Sequence, residues 1–270
     1  NSYEWGYSIP YFLAGSHSAH VNNISYLSAK AGIASRDINF LLNRLDPVER
    51  KRYDYSLLEK TYLDYQNTHC EDDSAIASLQ NALSGKDILV LLPGHTIKTC
   101  QGQIQHFYKE KNPIVISVNL LTDCYPIDFA YFSNKNRYQY WRNEAAFNKC
   151  KKIVTSNVTT RKDDNLFIID FLRLVKCGWE QLDNSGVLLL RLLDLMNVNS
   201  ISIAGFDGYS HNSENPNYVE KAMEKTRNTL NAEEANKDIK SMLVDYKNTR
   251  KSSCPISFIT PSYFETVMDE

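Results

Sequence analysis

The chain has no apolar run approaching the roughly 20 residues that cross a bilayer. Its longest, Gly186–Met196, is interrupted by Arg191 and Asp194. It has no marked excess of either charge: 30 Lys+Arg stand against 32 Asp+Glu, for a net charge of -2 over 270 residues. With a pI near 6.3, this balance argues against a protein that holds nucleic acid through a basic face. The six cysteines (70, 100, 124, 150, 177 and 254) form no C-x-x-C pair, and no histidine stands at zinc spacing from them. Reduced structural cysteines in a cytoplasmic protein are the expectation, with no metal site. A G-x-G-x-x-G fingerprint and a Walker lysine pattern are both missing, so neither nicotinamide-dinucleotide binding of that type nor a P-loop is supported. There is no nucleophile elbow, no Ser-His-Asp order, no internal repeat and no low-complexity tract.

What remains is a globular composition, 43% apolar and 23% charged. The length suits one large domain, or a domain of about 200 residues with an appendage. The opening, Asn1-Ser2-Tyr3-Glu4-Trp5, has neither an initiator Met nor a signal-peptide pattern and reads as a piece of a longer polypeptide. Residues 1–66 read as helices, over Ala19–Ala31, Ser35–Leu45 and Val48 to about Tyr65. In the second, Ile38, Leu41, Leu42 and Leu45 recur at helical spacing behind a Ser35 cap, and Asp46-Pro47 stops it. These helices present little apolar surface to one another. They are expected to pack on the following domain or on something outside this chain.

From Ser74 the pattern changes. Short β-branched runs appear at 88–92, 114–118, 129–132, 153–155, 166–169, 201–204 and 256–259. Most are continuous rather than alternating, as in strands buried on both faces of a parallel sheet. Helical segments are expected at Thr96–Lys111, Asn134–Asn148, Ser185–Asn197 and Asn217–Tyr246. Alternation of this kind predicts an α/β, Rossmann-like, doubly wound and mainly parallel sheet of six or seven strands over residues 67–270. Ligands of such sheets bind beyond the carboxyl ends of the strands, which directs attention to the residues there.

The first strand runs into Leu92-Pro93-Gly94-His95-Thr96. Gly94 lets backbone N–H groups approach an anion, and the next helix N terminus favours negative charge. An ordinary strand-to-helix turn explains the same residues. Three further strands end in Asn: at Asn119, at Ser133-Asn134 and at Ser156-Asn157. Asparagine offers donors and acceptors suited to sugar hydroxyls and base edges, although each one singly is also an ordinary turn or cap residue. Asn184-Ser185-Gly186 opens an almost wholly apolar helix, with Ser185 as the expected N-cap. The sixth strand ends in Gly205-Phe206-Asp207-Gly208-Tyr209. A carboxylate there must be paired, capping or ligand-bound. His95 and His211 are the acid/base candidates at strand ends, and Tyr209 and Tyr218 fall where phosphate or sugar could be met.

Two resemblances follow from these residues. The stretch Ile9-Pro10-Tyr11-Phe12-Leu13-Ala14-Gly15 with His17-Ser18-Ala19-His20-Val21-Asn22-Asn23 resembles the segment after the catalytic barrel in aldolases of the 4-hydroxy-2-oxovalerate type, relatives of hydroxymethylglutaryl-CoA lyase. That implies an N-terminal aldolase barrel in the same parent polypeptide, a lyase, and helices that pack on it and on partner subunits. Residues 86–270 resemble the bacterial lipooligosaccharide sialyltransferases and the wider group of motility-accessory and pterin-pyrophosphokinase-like proteins. The likeness is carried by Asn184-Ser185-Gly186-Val187, by Ile201–Tyr209 and by Asp238-Ile239-Lys240. It implies a metal-independent Rossmann-like domain cradling a CMP- or CDP-type nucleotide sugar. Gly94, Thr96, Asn119, Asn134, Ser156 and Asn157 would then lie at phosphate and sugar, Ser185 and Gly186 at the nucleotide, Asp207 near base or ribose, and Tyr218 in the place of a phosphate-binding tyrosine. The chain departs from the pattern in Lys221–Lys237, which holds no histidine where the sialyltransferases carry their general base. Either His211 serves instead or the reaction is not sialyl transfer, and the second is favoured. Three readings stand: glycosyl transfer in surface-polysaccharide or unusual-sugar synthesis, an inactive binding or oligomerising module beside the aldolase, and a metal-dependent pyrophosphokinase-like domain. A homo-oligomer is expected in each.

Overall fold

In the computed structural model the described residues are 69–159, 165–176, 179, 184–210, 218 and 232–269. The chain divides between Asn67 and Thr68, and the described residues all belong to the second unit, Thr68–Glu270. The helices expected within residues 1–66 and the candidate His211 lie outside the described residues.

The second unit is built on one seven-stranded sheet. In chain order the elements are α1 (Asp73–Leu83), β1 (Asp87–Leu91), α2 (Thr96–Thr99), α3 (Gln101–Lys111), β2 (Ile114–Val118), β3 (Phe129–Phe132), α4 (Lys135–Trp141), a 3₁₀ turn (Ala145–Lys149), β4 (Lys151–Thr155), β5 (Leu166–Ile169), α5 (Phe171–Leu174), α6 (Ser185–Leu193), β6 (Ser200–Ala204), α7 (Ala232–Thr249), β7 (Ile256–Phe258) and α8 (Glu265–Asp269). The strand order is β5-β4-β3-β2-β1-β6-β7, and every neighbouring pair is parallel. The expected Rossmann-like α/β architecture is therefore present, with helices flanking the sheet.

Burial explains why the strand sequences are apolar at nearly every position. Leu89, Leu91, Val115, Ala130, Phe132 and Val154 share one face with Ile97 and Ile104 of the α2–α3 layer and with Trp141 and Phe147. Side chains alternate along a strand, so Ile88, Val90, Ile116, Val118, Tyr131 and Ile153 face the other way, each no more than 1% exposed. On that second face α6 packs against β2 and α7. Its Val187, Leu188, Leu189, Leu190, Leu192 and Leu193 are all buried. Each such side chain stabilises the fold by roughly 1.5–3 kcal/mol.

Three helices are shorter than the sequence pattern suggests, and one of them, α6, stops at Leu193 rather than Asn197. The segment 96–111 breaks at Cys100, whose backbone (φ -107°, ψ 23°) leaves the helical region between α2 and α3. The segment 134–148 divides into α4 and the 3₁₀ turn. Of the helix expected over 217–246, the described residues are Tyr218, which is not helical, and those of α7, which continues to Thr249.

Because all strands run the same way, their carboxyl ends lie along one edge of the sheet. The chain leaves β1 toward β2 on one side and returns to place β6 on the other. The switch point therefore falls between β1 and β6, where open α/β sheets form a crevice.

Candidate functional site

The carboxyl edge is best followed from the β6 end. There Gly94 lies against the β6 turn: its N–H donates to the Gly205 carbonyl at 3.0 Å. A Cβ at Gly94 would come within 2.6 Å of the Asp207 Cγ, so the close approach requires glycine. Asp207 accepts from the Thr96 backbone N–H at 2.8 Å and also from the Thr96 hydroxyl. Thr260, beyond β7, accepts from the Thr96 hydroxyl at 3.0 Å and from the Gly205 N–H at 2.9 Å. These bonds tie the ends of β1, β6 and β7 into a latch. Burial pushes the Asp207 carboxyl above its ordinary range, with the Thr96 bonds and nearby His95 pulling the other way. Thr96 and Asp207, both read from sequence as ligand residues, thus spend their polar atoms on one another. His95 sits half-buried at the start of α2, beside that carboxylate.

The next part of the edge lies under the N terminus of α6. The cap of this helix is Asn184, not Ser185: its Oδ1 accepts from the Gly186 N–H at 2.9 Å and the Val187 N–H at 3.2 Å. That corrects the sequence expectation, and the reason is geometric. Asn184 has the extended backbone of a cap (φ -139°, ψ 122°), whereas Ser185 is the first helical residue. Its hydroxyl is thereby released toward the strand ends. Asn119 Nδ2 donates to Ser185 Oγ at 2.9 Å, and Ser133 Oγ donates to the same atom at 2.7 Å. Asn119 adopts a left-handed backbone (φ 54°), which asparagine tolerates better than most residues. Its carbonyl accepts from Trp141 Nε1 at 3.0 Å, while its Oδ1 is buried with no partner. Gly186 packs against the ends of β1 and β6: a Cβ there would meet Leu92 Cδ2 at 2.7 Å and Phe206 Cζ at 3.4 Å.

Farther along, Asn157 Nδ2 donates to the Ser133 carbonyl at 3.2 Å. Ser156 Oγ accepts from the Phe171 N–H at 3.0 Å, joining the ends of β4 and β5. Asn134 caps α4, accepting from the Asn136 and Arg137 N–H groups at 3.0 and 3.2 Å. Gly94, Asn119, Ser156, Ser185 and Asp207 therefore line one edge, linked by a continuous series of contacts. Thr96, Asn134, Ser156 and Asp207 hold the loops of that edge, and Asn119 and Ser185 meet at the mouth of α6.

Two tyrosines complete the arrangement. Tyr209, just past β6, and Tyr218 bring their hydroxyls to 3.2 Å of one another. Arg137 of α4 lies over the Tyr218 ring, 5.7 Å from its centroid. Two phenolic hydroxyls and a guanidinium make an environment suited to an anion.

No family model, curated protein or solved structure matches this chain. Among the described residues, no group of three or more His, Cys, Asp and Glu is placed to hold a metal ion. No helix among them is long and apolar enough to cross a membrane.

Sequence reasoning did not single out Ser133, Arg137, or the pair His69 and Asp170, whose ring Nδ1 and carboxylate Oδ2 lie 2.5 Å apart at the end of β5. Ser133 was visible as half of a strand-terminal Ser-Asn pair. His69 and Asp170 are 101 residues apart and carry no shared local signal.

Proposed function

We propose that the carboxyl edge between β1 and β4 binds a nucleotide, and that the domain transfers the sugar of a CMP- or CDP-type nucleotide sugar to an acceptor hydroxyl. The observation that carries this reading is the convergence of Asn119 Nδ2 and Ser133 Oγ on Ser185 Oγ at the N terminus of α6. A helix N terminus favours anions, and the buried, unpartnered Asn119 Oδ1 is an unmet acceptor that would take an N–H or O–H of base or sugar. The Tyr209 and Tyr218 hydroxyls, with Arg137 behind them, would receive a leaving phosphate. The likeness of Asn184–Val187 and Ile201–Tyr209 to the nucleotide-sugar-binding stretches of the sialyltransferases supports a cytidine nucleotide specifically.

The test is direct binding. CMP or CDP should raise the melting temperature in a concentration-dependent way, and NAD should not. Ser185→Ala should weaken the nucleotide by about tenfold, because it leaves Asn119 and Ser133 without their shared partner. A chain indifferent to every nucleotide would refute the proposal and favour a binding or oligomerising role for the domain.

A further inference from the structure

We infer that His69, oriented by Asp170, is a general base stationed at the β5 end of the same carboxyl edge. The inference rests on the transfer reaction proposed above and supplies the proton acceptor that reaction requires.

The geometry is that of a held imidazole. His69 Nδ1 lies 2.5 Å from Asp170 Oδ2, the histidine side chain being 69% exposed and the aspartate side chain 10%. Asp170 itself cannot swing. Its Oδ1 accepts from the Leu172 N–H at 3.0 Å, and its backbone N–H donates to Asp72 Oδ2 at 2.9 Å. Asp72 is 2% exposed and is gripped by Arg173, which donates from Nε to Oδ2 at 2.9 Å and from Nη2 to Oδ1 at 2.5 Å. A buried, doubly anchored carboxylate thus fixes an exposed ring. With Nδ1–H given to Asp170, the Nε2 lone pair of the neutral imidazole is left for another proton. This is the base-plus-orienter arrangement found wherever a histidine must abstract a proton from a hydroxyl.

Place on the sheet supports the role. Ser185 meets Ser133 at the end of β3, Asn157 bridges to Ser133 from the end of β4, and Ser156 bridges from β4 to the residue after Asp170. Two strand spacings separate β3 from β5, about 10 Å at 4.8 Å each. An acceptor bound over β4 and β5 would lie between His69 and a nucleotide bound at α6.

Cys70 stands beside the dyad, and its thiol is pushed up by burial and by the charges of Asp170 and Asp72. That shift disfavours the thiolate that attack through sulfur would need. In the transfer step the acceptor O–H gives its proton to His69 Nε2, and its oxygen bonds to the anomeric carbon of the donor. The bond from that carbon to the phosphate oxygen breaks, and the nucleotide leaves with the electron pair. The imidazolium then returns its proton to solvent.

The experiment follows CMP release from a CMP-linked sugar, with water as acceptor, alongside CMP binding. His69→Ala and His69→Gln should each slow release by about 100-fold. The Kd for CMP should stay within about twofold, since binding is assigned to residues the change does not touch. Added imidazole should restore part of the rate to His69→Ala, because the position is exposed, whereas a merely structural loss would not respond. Asp170→Asn should slow release without weakening CMP. Release at the wild-type rate in both His69 variants overturns the inference, as does a loss that imidazole leaves unmoved. Wild-type protein that binds CMP but releases none from the donor overturns the base while sparing the binding site. Wild-type protein that binds no nucleotide overturns the underlying reading and the base with it.

Discussion

The carboxyl edge has two halves, made from similar residues and put to opposite uses. Around β1, β6 and β7, the polar atoms of Thr96, Asp207 and Thr260 close on one another and on the Gly205 N–H. Around β2, β3 and β4, Asn119 and Ser133 converge on one hydroxyl at a helix mouth, and a buried acceptor is left over. The first half is a latch that fixes the switch point, and the second has capacity to spare. The difference shows that polar residues at strand ends cannot be assigned as a class. What decides is whether the neighbouring loop supplies an internal partner.

The largest effect should come from the latch. Gly205 has φ 77°, and a Cβ there would meet the Leu92 carbonyl and come within 2.6 Å of Ile97 Cγ1. Gly205→Ala combines a left-handed backbone with a backbone clash, at a cost on the order of 3 kcal/mol. Urea unfolding measures it, and a loss below about 1 kcal/mol would mean that the turn is softer than its contacts imply.

A matched pair of variants then separates the halves. Thr260→Val removes the acceptor for the Gly205 N–H and the Thr96 hydroxyl, and should cost about 1–3 kcal/mol in stability with nucleotide affinity unchanged. Ser185→Ala should cost a similar amount in stability and, in addition, about tenfold in affinity. Equal effects on affinity in both would erase the distinction between latch and site.

The fold was largely legible in the sequence because a parallel sheet buried on both faces leaves continuous apolar runs. The strands at 114–118, 129–132 and 166–169 have the expected bounds. α1 was not legible in the same way: Asp73–Leu83 carries only Leu79 and Leu83 as buried residues, so its apolar stripe is thin. The break at Cys100 was hidden as well, because no Pro marks it and Thr96 is drawn instead toward Asp207. At the site, strand-end position placed Asn119 and Ser185 on the same edge, because topology alone gathers strand ends there, but their hydrogen bond was not legible. The exchange of roles between Asn184 and Ser185 turns on one residue's backbone angles, which composition does not encode. His69 and Asp170 meet only through tertiary structure.

The smallest effect is also the one that tests why Asp207 belongs to the latch. Its carboxyl is raised above the ordinary carboxylate range, chiefly by burial and against the pull of the Thr96 bonds. A carboxyl raised on folding contributes stability that is fully present below its unfolded value and is lost as pH rises through its folded value. Asp207→Asn keeps an acceptor for the Thr96 N–H and removes the ionisation. The melting temperature of the native protein relative to this variant should therefore be highest below the ordinary carboxylate range and decline as pH rises through and above it. A relative melting temperature that instead climbs with pH would show that the Thr96 hydrogen bonds outweigh burial. The latch would then be held by the charged form of Asp207, and the β6 end of the edge would be an anion's place already filled.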